Sequence, residues 1–253
     1  MNRLNTSGTT FLRLIKMVSK NFKSELDDIF GRFDDFTKAK QHISRESIEI
    51  TNATGAAMDN AVSACSASGE KRQELLDDAR AYAEKAGKIL LRLYKRLPSD
   101  YGRFWKKDLI TSQLFAIPEQ EIVEAFSLLA ILEQTRIPTK IIDFRIQNPG
   151  EYQKTRASLT VSGEAYVFGL LDCVGELSRV IHDSLKNKQI EFLKRIFKQM
   201  EELYTELERF REFPNRKDPT SKTKEHANLK FRIDVCGGQV LKCRRLLENR
   251  GII

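Results

Sequence analysis

Apolar residues recur at steps of three and four along most of this chain, and that spacing is typical of packed amphipathic α-helices. The pattern is clearest in residues 188–213, where seven or more apolar side chains form one stripe. The 253 residues include 13 glycines but only 6 prolines, which argues against a turn-rich β protein. We therefore predict an all-α fold, a single bundle of six to seven long helices.

Prolines and glycines divide this pattern into elements. Pro98 and Ser99 should end the second helix and open the third, and Pro118 should kink or restart the third. Residues 137–162 are predicted to form a long connection with some extended character, and residues 214–224 a basic loop. The predicted helices span approximately residues 21–59, 71–97, 100–134, 163–184, 188–213 and 225–249.

The N-terminal residues differ in composition from the rest of the chain. Residues 1–24 hold basic and hydroxyl side chains but no acid, so we predict a flexible tail over 1–20 and one helical domain over 21–253. A mitochondrial transit peptide is the alternative for this segment. No apolar run reaches the roughly 18 residues of a membrane span. The four cysteines form no C-x-x-C pair and suit a reducing compartment, which indicates the cytoplasm, with the nucleus as a second candidate.

The formal net charge of +8 permits binding to a phosphate backbone. Basic residues at helical spacing, interleaved with Tyr101, Phe104 and Trp105, offer phosphate contacts and stacking faces for single-stranded nucleic acid. The alternative is a solvated helix face with the aromatic rings in the core. The candidate nucleic-acid-binding residues are Lys88, Arg92, Lys95, Arg96, Arg103, Lys106 and Lys107.

Two strongly apolar helices carry acids on one face. Glu121 and Glu124 are three residues apart, and Asp172 and Glu176 are four apart, so each pair shares a side of its helix. Gly169 and Gly175 lie beside the second pair, although glycine costs a helix interior about 1 kcal/mol. Glycines at such positions suggest that another group approaches the backbone closely.

If the two helices face each other, the four carboxylates converge, and clustered carboxylates need a cation or a proton between them. Oxygen ligands alone suit Mg²⁺, with Mn²⁺ as an alternative, and such a site can activate water against a phosphodiester. In the competing interpretation each acid pairs with a nearby Arg or Lys at the surface. A di-iron bundle would need Glu-x-x-His on two helices, a motif that the chain lacks.

These acidic segments also resemble a known family. The sequence Y-V-F-G-L-L-D-C-V-G-E-L-S-R, from Tyr166 to Arg179, is similar to the Y-L-x-G-x-x-D-L-T-G-E-L-x-R signature of the translin-associated factor X (TRAX) type of the translin family. The segment Q-E-I-V-E-A-F-S resembles its Q-E-Y-V-E-A-x-S, and L-K-F-R-I-D-V resembles its closing helix. Cys173-Val174 replaces Leu-Thr, and Gly237-Gly238 interrupts the last helix.

The resemblance implies a magnesium-dependent endoribonuclease subunit for single-stranded RNA, with single-stranded DNA as a further ligand. It implies assembly with translin subunits into a hollow hetero-octamer whose acids face inward. Glu121, Glu124, Asp172 and Glu176 would be both metal ligands and catalytic residues. The non-catalytic translin type lacks the first acidic pair and the aspartate of the second. Two alternatives remain at this point: a non-catalytic single-stranded RNA- or DNA-binding subunit, and a scaffold of a translin-type oligomer.

Overall fold

Six helices and one hairpin make up the part of the chain that this computed structural model describes, residues 6–100, 114–146, 155–187, 189–212 and 229–253. The all-α prediction is confirmed. Short 3₁₀ turns at Leu185–Asn187 and Arg209–Glu212 follow α4 and α5. The elements are α1 (Thr6–Ser66), α2 (Gly69–Asp100), α3 (Ala116–Leu132), β1 (Ile141–Ile146), β2 (Thr155–Thr160), α4 (Gly163–Ser184), α5 (Ile190–Glu208) and α6 (Leu229–Glu248).

The largest differences from the predicted boundaries lie in the first two helices. α1 begins at Thr6, well before residue 21, and continues to Ser66. The division into a flexible tail over 1–20 and a domain over 21–253 stays a prediction. α2 does not stop at Pro98 but runs to Asp100. Pro98 removes one hydrogen bond from the helix, and the fully buried Leu97 holds that turn against the bundle.

Pro118 lies at the start of a helix rather than at a kink. It lies in the first turn of α3, where a proline's missing N–H costs the helix nothing. Residues 101–113 and 213–228 lie outside the described residues, and with them the predicted start of the third helix and the basic loop. Gly237-Gly238 does not interrupt the last helix, because α6 continues through both glycines.

The predicted extended connection is an antiparallel hairpin of β1 and β2, in which Ile142 pairs with Leu159 and Phe144 with Ala157. Ile142, Leu159 and Phe144 are buried, so one face of the hairpin closes the bundle. The Phe144 ring lies 3.0 Å from the point where a Cβ on Gly87 would stand, so glycine at this position lets the hairpin approach α2.

α3 is the central helix of the bundle, and α1, α2, α4 and α5 all contact it. Its buried side chains are almost all apolar, which explains why its sequence shows little amphipathic contrast. The four cysteines are reduced and buried, as predicted. Burial raises the pKa of the Cys65 thiol to about 12 and that of Cys236 to about 11. None of the described helices is both long and apolar enough to cross a membrane.

Candidate carboxylate site

The two acidic helices lie unusually close together, and Gly169 makes this possible. A Cβ on Gly169 of α4 would lie 2.6 Å from the backbone oxygen of Gln120 and 2.6 Å from Cβ of Val123, both on α3. Only glycine permits this approach. Gly175 lies about one and a half turns further along α4. A Cβ added there would make only an ordinary van der Waals contact, because its nearest neighbour is a side-chain nitrogen of Gln239 at 3.6 Å.

The close approach brings the four predicted acids within electrostatic reach of one another. Glu124 is only 7% exposed. Burial raises the pKa of Glu124 to about 9, and the charges of Asp172, Glu121 and Glu176 contribute to that rise. Burial also raises the pKa of Glu121, as do Asp172 and Glu176. The acids of α3 and α4 therefore influence one another electrostatically, and burial favours the protonated form of Glu124. A shared metal site at these residues stays a prediction.

Glu121 and Glu176 each have a neighbour that opposes the effect of burial. The Thr54 hydroxyl of α1 donates a hydrogen bond to Glu121 at 3.3 Å, which lowers the pKa of Glu121 against the effect of burial. Burial raises the pKa of Glu176, and Arg179 opposes that rise. Arg179 Nε lies 3.1 Å from Glu176 Oε2 but outside hydrogen-bond geometry, so this buried oxygen has no hydrogen-bond donor among the described residues. Arg179 also pairs with Asp59 of α1 at 3.1 Å.

Asp172 is neutralised by a residue that the acidic motifs do not contain. Arg232 of α6 forms an ion pair with Asp172, and the Gln120 amide donates a second hydrogen bond to it. The guanidinium of Arg232 lies 4.8 Å from the centre of the Phe168 ring, which orients it. Both members of the pair are about a quarter exposed. Arg232 belongs to the L-K-F-R-I-D-V segment, which was the only sequence signal for it.

The donor set suits a hard divalent cation. It consists of carboxylate oxygens alone, one buried Glu176 oxygen lacks a donor, and burial with mutual repulsion leaves Glu124 protonated. Among the described residues no three His, Cys, Asp or Glu side chains are close enough to share one ion. Arg232 supplies the positive charge at Asp172 instead.

Comparison with known proteins decides the family. The pattern of the translin family matches residues 32–247, which is most of the chain and includes both acidic helices. The chain belongs to the translin family.

Solved translin-type structures share this fold. The crystal structure of apo-NeC3PO superposes with a TM-score of 0.59 at 22% identity, over 87% of this chain and 94% of that one. The crystal structure of AfC3PO superposes with a TM-score of 0.55 at 21% identity, over 87% of this chain and 94% of that one. The structure of AfC3PO in complex with duplex RNA superposes with a TM-score of 0.55 at 20% identity, over 87% of this chain and 93% of that one. Identities this low establish the fold alone.

A curated protein of Methanocaldococcus jannaschii, itself uncharacterised, is 36% identical over 94 residues. The match covers 37% of this chain and 35% of the relative, so the two share only about a third of the relative's length.

A fifth acid, Glu119, holds this translin-type site in place, although the sequence patterns did not single it out. It is 5% exposed and accepts hydrogen bonds from the Tyr94 hydroxyl of α2 and, at 2.8 Å, from the backbone N–H of Ser162. Ser162 in turn caps α4, since its side chain accepts from the Ala165 N–H at 3.2 Å. Glu119 thus fixes the start of α4 against α3, which sets the register of the facing acids.

The predicted basic surface is only partly described. Arg92, Lys95 and Arg96 are exposed on α2, and Lys88 is half-buried. Arg92 pairs with Glu46 of α1 at 2.7 Å, and Arg96 lies 3.9 Å from Asp100. Two of the four positive charges are therefore engaged within the chain. Arg103, Lys106 and Lys107 lie outside the described residues. Nucleic-acid binding by this surface stays a prediction.

Proposed function

We propose that this protein is a TRAX-type endoribonuclease subunit, dependent on a divalent metal and acting on single-stranded RNA. The single observation behind the proposal is that Glu121, Glu124, Asp172 and Glu176 influence one another electrostatically across the close contact of α3 and α4. Buried like charges destabilise a fold, so their presence at a packed junction favours a chemical role.

The four acids would hold Mg²⁺ or Mn²⁺, which would supply Lewis-acid stabilisation of the phosphoryl group and an acidified water. The chain's own residues contribute the rest. Arg232 and Gln120 orient the Asp172 carboxylate, and Thr54 orients Glu121. Glu124, with its pKa of about 9 in the cation-free state, is able to hold a proton at a carboxylate oxygen within the site.

The proposal extends to assembly. Translin-family relatives of the same fold have been solved, one of them with duplex RNA, and this supports nucleic-acid binding by a translin-type oligomer. We propose a hetero-octamer with translin subunits in which the acids face the interior. The described surface supports this only through the partial exposure of Asp172 and Arg232, which leaves the site accessible from one side.

The decisive experiment measures cleavage of labelled RNA by the full chain, alone and with a translin partner. Wild type, Asp172→Asn and the exposed control Glu202→Gln are compared in Mg²⁺, Mn²⁺ and EDTA, with single-stranded and duplex substrates. The proposal expects metal-dependent cleavage of the single strand, lost in Asp172→Asn and retained in the control. Cleavage that survives EDTA or the Asp172 change, or binding without cleavage in every combination, would refute the nuclease assignment.

A non-catalytic RNA- or DNA-binding subunit is the second candidate, favoured by the Arg232–Asp172 ion pair and by the basic face of α2. For either candidate we expect Lys88→Glu/Lys95→Glu to weaken single-strand binding. Removing about two phosphate contacts should also flatten the salt dependence of the affinity. Fluorescence anisotropy from low to high salt tests this, with Lys194→Glu/Lys198→Glu on the exposed face of α5 as the matched double charge reversal. Equal affinities in both variants would place the binding surface elsewhere.

Replacing Arg232 by glutamine should lower the folding stability, because it removes the positive charge that offsets repulsion among the acids. Without its guanidinium Asp172 keeps only the Gln120 hydrogen bond, so we expect a loss of about 1–2 kcal/mol in EDTA for this partly exposed pair. Added Mn²⁺ should stabilise the variant more than wild type, because in the variant the ion no longer competes with Arg232 for the Asp172 carboxylate. Thermal unfolding with and without Mn²⁺ measures both effects. Arg244→Gln, which breaks an α6 ion pair with Glu201 away from the acids, serves as control and should show no added response to the ion.

A further inference from the structure

Two arginines border the acidic cluster, one at each end of the acid-bearing face of α4. Asp172, Glu176 and Arg179 follow one another at steps of four and three, so all three lie on that face. Arg232 of α6 pairs with Asp172 and lies over the ring of Phe168, one turn before Asp172. Arg179 follows Glu176 by one turn. The two guanidinium groups therefore reach the acids from opposite ends, separated by on the order of 10 Å along α4.

Neither arginine uses all of its hydrogen-bond donors within the described residues. A guanidinium group offers five N–H donors. Arg232 donates to Asp172, and Arg179 donates to Asp59 of α1 at 3.1 Å. The contact of Arg179 with Glu176 lies outside hydrogen-bond geometry. The side chains of Arg232 and Arg179 are 26% and 42% exposed. Each arginine thus keeps donors for a further group at the edge of the site.

Neutralising the carboxylates does not by itself explain this arrangement. An arginine that only neutralises a carboxylate commonly forms two parallel hydrogen bonds with it, and neither arginine does so here. Glu121 and Glu124 of α3 have no ion pair in the part of the chain that the structure describes. The positive charge therefore stands at the two ends of the cluster. An anion that crosses the face of α4 meets a guanidinium, then carboxylates, then a second guanidinium.

This alternation of charge fits the backbone of a nucleic-acid strand. Consecutive phosphates advance roughly 3.4 Å along a stacked strand, and further along an extended one. The separation of the two guanidinium groups therefore spans two or three nucleotide steps. When one phosphate of a strand lies at the carboxylates, its neighbours reach the arginines, whose planar donors suit phosphate oxygens. Without the arginines the carboxylates would repel both neighbours.

We propose that Arg179 and Arg232 bind the two phosphates that flank the scissile phosphate, one on each side. This inference rests on the proposed nuclease function and deepens it, because it specifies the substrate. The substrate is a continuous single strand with a phosphate on both sides of the bond that is cut. A dinucleotide, or the last linkage of a strand without a terminal phosphate, lacks one of these contacts. The site therefore favours cleavage within a strand over cleavage at its ends.

Neutral linkages placed at single positions test the proposal. Each substrate is a short single-stranded RNA with one methylphosphonate linkage after a 2′-O-methyl nucleotide. The reference strand carries the same 2′-O-methyl group and an ordinary phosphate. The full chain, alone and with a translin partner, cuts both strands in Mg²⁺, and the cut positions are mapped. For wild type we expect cleavage directly before and directly after the neutral linkage to fall at least about tenfold, because each cut then lacks one charge-assisted hydrogen bond.

Each arginine variant should remove this suppression on one side only. In Arg179→Gln, cleavage on one side of the neutral linkage should equal that of the reference strand. In Arg232→Gln, the same should hold on the opposite side. Each variant should also cut the reference strand more slowly, since it lacks one phosphate contact. A residue that acts only through the fold would slow cleavage of every substrate and leave both suppressed positions as they are in wild type.

Binding of single-stranded RNA in EDTA gives a second measurement that requires neither metal nor cleavage. Affinity is measured by fluorescence anisotropy from low to high salt, below the melting temperature of every variant. Arg179→Gln and Arg232→Gln should each reduce the slope of log affinity against log salt by about 0.7, the share of one phosphate on a single strand.

Two arginines away from the acids serve as matched controls. Arg80 contacts two acids and is 44% exposed, much as Arg179 is placed. Arg244 of α6 forms an ion pair and lies 5.8 Å from the centre of the Phe197 ring, much as Arg232 is placed. Arg80→Gln and Arg244→Gln should keep the wild-type salt slope and both suppressed positions.

The outcomes separate this proposal from the nuclease function. If wild type cuts normally beside a neutral linkage, or if both variants keep both suppressed positions, the arginine contacts are refuted and the nuclease function stands. If wild type shows no metal-dependent cleavage, the nuclease function fails. The salt slopes in EDTA then decide the arginine contacts alone: equal slopes in wild type and both variants refute them, and reduced slopes support them.

Discussion

Glu124→Gln is expected to abolish RNA cleavage and, in the same molecule, to increase stability at neutral pH in EDTA. Glu124 is the most buried of the four acids, and burial raises its pKa to about 9. Losing an acid–base group at a reacting centre typically reduces rate by at least about a hundredfold. A glutamine has nearly the same shape but cannot ionise, so it removes both the ligand and the cost of keeping Glu124 protonated in the folded chain.

The stability effect has a definite pH dependence. Below about pH 4.5 Glu124 is protonated in both the folded and the unfolded chain and costs nothing. As pH rises toward 9 the unfolded chain releases this proton and the folded chain retains it, so folding becomes progressively less favourable. The glutamine variant lacks this loss. Its advantage should be near zero at about pH 4 and reach on the order of 2–3 kcal/mol at pH 7.

Urea unfolding at several pH values between about 4 and 8, in EDTA, measures the difference. The exposed Glu202→Gln on α5 is the control and should follow wild type throughout. Addition of Mg²⁺ should stabilise wild type more than Glu124→Gln, because only wild type keeps all four acids. A variant that is less stable than wild type at pH 7, or that still cleaves RNA, would contradict the role assigned to Glu124.

The sequence was sufficient to predict the helical bundle and the faces of the two acidic helices, because both depend on local spacing. Glu121 and Glu124 share a face through the i, i+3 step, and Asp172 and Glu176 share one through i, i+4. Their neutralisation could not be predicted from the same pattern. Arg232 lies 60 residues from Asp172, and only packing of α6 against α4 brings them together.

Exposure along α1 shows a second limit of sequence analysis. Its apolar residues keep one spacing from Phe22 to Ile50, but the structure buries Ile43 and Ile50 and leaves Phe22 and Phe33 exposed. Periodicity predicts which face is apolar and not what covers it. The stop predicted at Pro98 was wrong because the packing of the buried Leu97 outweighs the local preference of proline.

Gly169 and Gly175 look alike in sequence, and the fold distinguishes them. Gly169→Ala is expected to destabilise the protein by about 2–3 kcal/mol, since its Cβ would overlap the Gln120 carbonyl and Val123 at 2.6 Å. A backbone oxygen of a central helix cannot rotate away, so α3 and α4 must separate. Gly175→Ala meets nothing nearer than 3.6 Å and should gain up to about 1 kcal/mol from helix propensity.

The pair of variants also tests how the site is built. Gln120 and Val123 lie next to Glu121 and Glu124, so any shift that accommodates the methyl group added at Gly169 moves the α3 acids away from Asp172. We therefore expect Gly169→Ala to lose metal-dependent RNA cleavage well below its melting temperature, whereas Gly175→Ala retains it. Because both changes add the same methyl group to the same helix, the difference between them isolates the helix–helix contact. Equal stability and activity in the two variants would show that the acids do not depend on the close approach of α3 and α4.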